Sequence, residues 1–197
     1  MTLRSQGLQG LMKLPRIESR TLLLALIACV VWVSLVIAVP YMVPADTLTD
    51  LSGSVGKVDN ADEFSGLGLV PRIIYAIGDR ECHQLEERSY FLNGNQMPFC
   101  ARDLGLFLGL AAGFVITVFI RVKFNPLLVL AGLVPMAIDG GLQLVTAYES
   151  TNVLRITTGF IAGMAFSLLI SLFVMTIKDD RAEAGKREGH EGPARSS

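Results

Sequence analysis

The chain is short of the side chains that most enzymes use for chemistry: it has three cysteines, two histidines and one tryptophan in 197 residues. It also lacks a glycine-rich phosphate loop, a dinucleotide fingerprint and a nucleophile elbow, although glycine itself is abundant at 19 residues. Those absences remove the sequence grounds for nucleotide-dependent or serine-nucleophile chemistry. An excess of charge of either sign is missing as well. Seventeen basic residues face 18 acidic ones, for a formal net charge of −1, so nothing points to a nucleic-acid partner.

Apolar residues are plentiful, at 51% of the chain. They are not scattered in short amphipathic stretches but collected in blocks, and a bilayer-spanning helix needs about 20 such residues. Four blocks qualify: 21–43, 104–120, 126–147 and 154–177. The second is short and starts a few residues earlier, near Cys100. The third is interrupted by Asp139 and Gln143. The expectation is an all-α membrane protein with four transmembrane helices, its partner the lipid bilayer of the cell membrane. The first block follows a basic leader, as a signal peptide would. Its uninterrupted run exceeds the roughly 7–15 residues of a secretory core, so it is read as a retained helix.

Basic residues set the orientation. Arg4, Lys13, Arg16 and Arg20 precede the first block, Arg121 and Lys123 sit between the second and third, and five more follow residue 177. Segment 44–103 has five basic residues against ten acidic ones, and the "YESTN" connection has none. Both termini are therefore expected in the cytoplasm, with a basic arm over 1–20 and a long extracytoplasmic loop over 44–103. Residues 44–66 read as a mobile acidic loop, and "LGLVPRIIYAIGDRECHQL" as a short helix on the membrane surface. The tail, 178–197, reads as disordered. Small residues recur every fourth position at Gly105, Gly109 and Gly113, and again at Gly159, Gly163, Ser167 and Ser171. Such a strip lets a second backbone approach closely, and packing within the bundle is preferred to dimerisation.

Polar side chains concentrate in two places. Asp139 lies mid-block, where a carboxylate costs about 2.5–3.5 kcal/mol on insertion scales. Pro135, Asp139 and Gln143 share one helix face. Glu149, Ser150 and Asn152 follow in the outer turn, then Arg155 on the small-residue side of the last block. At about 1.5 Å per residue, Asp139 sits about 13 Å below that turn and Gln143 about 7 Å, so Arg155 meets Gln143 or Glu149 more readily than Asp139. A register-pinning polar network and an outward-facing pocket are both compatible with this.

The second place is "ECHQLEERSYFLNGNQMPFCARD", which holds Cys82, His83, Cys100, Arg102 and Asp103. Three chemistries fit. Cys82, His83, Cys100 and Asp103 form a donor set suited to zinc, with Cys100 and Asp103 best placed to converge and adjacent Cys82 and His83 expected to diverge. A Cys82–Cys100 disulfide would suit an oxidising exterior and add about 3 kcal/mol by loop entropy. A thiol-redox role would use Cys100, its pKa lowered by a helix N-terminus and Arg102. Cys29, inside the first block, reads as a small apolar filler.

The runs "CHQLEERSYFLNGNQMPFCARDLGLFLG", "PMAIDGGLQL" and "ESTNVLRITTG" resemble the domain-of-unknown-function 2085 family of small prokaryotic, largely archaeal membrane proteins, over roughly residues 70 to 175. The resemblance marks Cys82, His83, Gln84, Arg88, Ser89, Gln96, Pro98, Cys100, Arg102 and Gly105. It marks Asp139, Gly140, Gln143, Glu149, Ser150, Asn152, Arg155, Thr158 and Gly159 as well. It brings no established activity. The family pattern has a cysteine where this chain has Asp103, which removes the vicinal pair that a disulfide-passing enzyme needs. A metal site tolerates that exchange better. The resulting expectation is a zinc-binding, outward-facing pocket over Asp139, Gln143, Glu149, Arg155 and Arg102, acting on a lipid-borne or small polar ligand. A proton-coupled transporter using Asp139, and a structural protein clamped by the disulfide, remain the alternatives.

Overall fold

The structure, a computed structural model, describes residues 19–51, 53–120 and 125–190. Most of the basic arm, the Arg121/Lys123 connection and residues 191–197 lie outside that description. Among the described residues, three helices are long and apolar enough to cross a membrane: Arg20–Met42, Ala101–Phe119 and Asn152–Gly185. The first consists of α1 (Arg20–Ala38) and a 3-10 turn carrying Pro40. Between it and the second span lie α2 (Ala61–Phe64), α3 (Leu69–Glu81) and an antiparallel hairpin of β1 (Ser89–Leu92) and β2 (Asn95–Cys100). The second span is α4 (Ala101–Phe119). Then come α5 (Pro126–Ala131), α6 (Val134–Val145) and the 39-residue α7 (Asn152–His190).

The apolar block 126–147 is two helices rather than one continuous span. Pro135 has no N–H to give the carbonyl of residue 131, and its ring would collide with that carbonyl inside a continuous helix. The chain therefore stops α5 at Ala131, passes through Gly132 and Leu133, and restarts with Pro135 in the first turn of α6. At the other end α7 runs past the apolar block to His190. The segment expected to be a disordered tail is helical that far, because "DDRAEAGK" is rich in good helix formers.

Helix directions follow from the contacts. Leu22 and Leu26 of α1 pack on Phe114 and Val118 near the end of α4. Trp32 meets Phe99 and Phe107 near its start, with ring centroids 5.7 and 5.9 Å apart. These two helices are antiparallel. By contrast α4 and α7 are parallel: Gly105, Gly109 and Gly113 lie on Ile156, Phe160 and Ser167 in turn, while Gly159 and Gly163 lie on the backbone of Arg102 and Leu106. Thr117 and Ser171 close the seam with a 2.8 Å hydroxyl contact. The small-residue strips thus pack against each other within one chain. Because α4 and α7 point the same way, α5 and α6 form the return limb between them. Gly132 abuts Ala165, deep in α7, and Leu142 lies beside Leu154 at its start.

A side chain at Gly109 would place its Cβ inside the carbonyl oxygen of Phe160. Backbone cannot yield as a side chain can, so Gly109→Leu is expected to cost about 3 kcal/mol or more, the upper end for overpacking. Thermal unfolding in detergent should show a large loss of stability, while Val115→Leu, on an exposed apolar position, should leave the midpoint unchanged.

The segment between the first and second spans is not a solvated loop. Leu48, Leu51 and Phe64 are fully buried in a core with Val36, Tyr75, Met97 and Phe99. Asn95, also fully buried, accepts hydrogen bonds from the amides of Thr47 and Leu48 and donates to the carbonyls of Pro40 and Pro44. Gln96 accepts from the Leu51 amide and donates to the Gln84 carbonyl and the Ser89 hydroxyl. The acidic stretch is thereby strapped over the hairpin. Helix α3 buries Ile74, Tyr75 and Asp79 against this core and leaves Leu69, Val70, Ile73 and Ile77 exposed along its other side. These four form an apolar stripe at helical spacing.

Candidate functional site

The turn where β2 becomes α4 places Cys100 and Asp103. Cys100 is the extended residue before the helix, with φ −67° and ψ 165°, and Asp103 lies in the first helical turn. One helical turn apart, their side chains emerge on the same side. Cys82 reaches them from the C-terminal end of α3. The chain then turns sharply through Gln84, whose φ of 46° lies in the left-handed region. The Gln84 amide is held by a 2.7 Å bond to the Pro98 carbonyl. The two sulfurs and a carboxylate oxygen of Asp103 all lie within 4.8 Å of one another, and the Cys100 thiol donates to Asp103 over 3.2 Å.

The electrostatics of the pair differ from the expectation of an acidic Cys100. The single Cys100 proton can turn from Asp103 to Cys82, and that hydrogen bond favours the thiolate of Cys82 and lowers its pKa. The same bond, together with burial and the negative Asp103, pushes Cys100 up. Arg102 does not act on the thiol: successive residues leave a helix about 100° apart, and the Arg102 side chain turns the other way, toward α6.

There it meets the second polar group. Arg102 Nη2 donates to Asp139 Oδ2 at 2.5 Å and to Gln143 Oε1 at 2.8 Å. Gln143 donates to Glu149 at 3.2 Å. The Glu149 carboxylate in turn receives Arg88 at 2.9 Å and Arg155 at 3.1 Å. Arg155 is only 2% exposed and also donates to Asn152 Oδ1 and the Glu87 carbonyl. The Tyr148 hydroxyl donates to Asp139 at 3.4 Å. The arginine that pairs with Asp139 is therefore Arg102 of α4, while Arg155 meets Glu149 as spacing suggested.

Of the four residues expected to hold metal, Cys82, Cys100 and Asp103 are brought together and His83 is not. The His83 ring is exposed and its Nδ1 lies 3.3 Å from the Gly53 carbonyl. Adjacent side chains diverge, and here Cys82 faces inward. The expected single chamber is two clusters on two sides of the first turn of α4. Cys100 pairs with Ser89 across the hairpin, and the Ser89 carbonyl receives Asn152, a ligand of Arg155, at 3.4 Å. No side-chain hydrogen bond runs directly from the thiols to the arginines among the described residues.

Sequence reasoning missed Tyr148 and the hairpin itself. Tyr148 carries no spacing signal. The hairpin does: "LNGN" puts Asn93 and Gly94 at φ 55° and 71°, the paired left-handed residues of a tight type I′ turn, for which Asn-Gly is the strongest short-range signature.

The fold and its polar cap define a mostly helical, multi-pass membrane protein. The chain belongs to the DUF2085 family, described as predicted membrane proteins, whose profile matches residues 82–169. That span runs from Cys82 into α7 and contains both clusters. The uncharacterized protein MJ1492 of Methanocaldococcus jannaschii is 37% identical over 131 residues, covering 63% of this chain and 81% of the relative. An uncharacterized protein of Methanothermobacter thermautotrophicus is 38% identical over 91 residues, covering 45% and 82% respectively. No solved structure matches the chain.

Proposed function

We propose that this protein holds a divalent metal ion, zinc by its donor chemistry, between Cys82, Cys100 and Asp103 on the outer face of the membrane. It uses the adjacent arginine–carboxylate network to bind a lipid-borne or small polar ligand. The topology that goes with this reading has four crossings, the broken α5–α6 limb being the third, and both termini in the cytoplasm. Two features support it: α4 and α7 are parallel, which calls for a return limb, and basic residues cluster on the sequence segments at one end.

The observation that carries the metal reading is the convergence of two sulfurs and one carboxylate oxygen within 4.8 Å. Zinc bonds of about 2.3 Å to sulfur and about 2.0–2.2 Å to oxygen would draw such donors to tetrahedral positions with small side-chain movements. Three protein ligands leave one position for water or a ligand oxygen, where bound zinc acts as a Lewis acid. The 2.5 Å Arg102–Asp139 pair, with Arg88 and Arg155, would supply charge and orientation for the ligand beside it.

A second reading rests on the same proximity, since the hydrogen-bonded Cys82 and Cys100 are neighbours that an oxidant would join. One pair of measurements separates the two: metal content by mass spectrometry on protein purified without chelators, and free thiols counted after denaturation. One zinc per chain with three free thiols is the expected result. No metal with Cys29 alone titrating would replace the metal site with a disulfide.

A further inference from the structure

Arginine 155 poses a problem of supply and demand for hydrogen bonds. A guanidinium has five N–H donors and no acceptor. With its side chain 3% exposed, Arg155 has acceptors for Nη1 and Nη2, but among the described residues its buried Nε has none. The Nε atoms of Arg88 and Arg102 are also buried without a hydrogen-bond partner among the described residues, the former only approaching Glu87 at 3.7 Å. Buried donors left without an acceptor are destabilising. Three of them in one network indicate a site shaped for an acceptor-rich group.

The acid that bridges Arg88 and Arg155 lies at the surface. Glu149 sits on the short connection between α6 and α7, and its side chain is 62% exposed. It is thus an exchangeable partner for a buried cation. Asp139, by contrast, is buried and matched to Arg102, so it does not repel an anion placed at the level of Glu149.

Beside Asp139 a groove of about 390 Å³ opens between α6 and α7, within the roughly 300–1,000 Å³ of ligand pockets. Its walls include Val134, Pro135, Ile138, Leu142 and Leu154, and its polar edge is Asp139 with Tyr148. Ile138 is 56% exposed and Leu142 44%, so the groove is open along the apolar exterior of the bundle. An occupant would enter from the hydrocarbon of the bilayer.

We propose that the groove and the Arg88–Arg102–Arg155 network together bind a membrane lipid with a phosphate-bearing anionic headgroup, its chain along α6 and its phosphate in the seat that Glu149 takes. Arginine's planar fork suits phosphate oxygens, and the unmatched Nε–H groups provide donors the carboxylate does not use. The inference rests on the lipid-borne-ligand half of the reading above and is independent of the metal.

The test uses the full-length protein in mixed micelles, with bound lipid counted by native mass spectrometry. Phosphatidylglycerol should be retained over phosphatidylcholine. Glu149→Gln, at an exposed position, should raise phosphatidylglycerol retention about threefold to tenfold, since it frees charge-assisted donors for the headgroup. Ile138→Trp, which fills the groove from its exposed side, should lower retention at least about fivefold on the same scale. Unchanged or weaker retention in Glu149→Gln would overturn the proposal. Competition by inorganic phosphate with no effect of Ile138→Trp would assign the seat to a soluble anion and overturn the lipid occupant. Zinc measured in the same preparations keeps this result separate from the fate of the thiol site.

Discussion

Exchanging Cys100 for serine is expected to lower zinc affinity by more than about 100-fold, since even partners one shell removed from a metal are worth 10–100-fold. The replacement is informative because it does little else. Cys100 occupies the extended position before α4, where serine is among the most favoured residues and its hydroxyl can cap a backbone N–H of the first turn. The helix and the hairpin register should therefore survive, and circular dichroism should be unchanged while metal is lost. Asp103→Cys makes the opposite prediction. A third thiolate is a softer donor that matches zinc better than a carboxylate, so affinity should rise at least about tenfold under reducing conditions, against about 0.3–1 kcal/mol lost from the helix dipole. If Cys100→Ser retains full zinc, the ion lies elsewhere.

Much of this arrangement was legible in residue order. Apolar blocks announced the long helices, because a run of about 20 such residues has few other uses. Four-residue spacing of glycine and serine announced the α4–α7 seam, because only small residues let two backbones touch. Cys100 with Asp103 was legible for the same reason, being one turn apart at a helix start. The illegible parts depend on what the segment between the first two spans does as a whole. Leu48, Leu51 and Phe64 are isolated apolar residues in an acidic stretch, and their burial arises from a core that only the hairpin creates. Asn95 and Gln96 are amides in a polar stretch, yet both are fully buried and tie the strap to the scaffold. Among the marked residues, Gln84, Ser89, Gln96 and Pro98 hold the scaffold in place, while Cys82, Cys100, Arg102, Asp139 and Arg155 face the two clusters. Within 82–103 the sequence could not sort one set from the other, because members of both are interspersed along the same short stretch. The partner of Asp139 was obscured by a different effect: Arg102 is adjacent to Asp103 in sequence but a quarter turn away in direction.

The largest stability effect in the protein is expected at that arginine. Asp139 has a side chain 4% exposed, with Arg102 as its ion-pair partner. Removing one member of a buried pair leaves a charge with neither water nor counter-ion, which costs about 3–5 kcal/mol. Arg102→Gln should therefore unfold far below the wild type in thermal denaturation, and Asp139→Asn should fall less, because the 24%-exposed Arg102 can still reach solvent and Gln143. The double replacement Arg102→Met with Asp139→Leu should recover most of the loss, since apolar groups of similar size pack without a desolvation penalty. Full recovery of stability with loss of anionic-lipid retention would separate the two roles of the pair. It would show that the charges persist for binding and are dispensable for folding. A loss below about 1 kcal/mol in Arg102→Gln, the range of an exposed pair, would mean that water reaches Asp139. The network would then be an open surface cluster instead of the buried base of a ligand site.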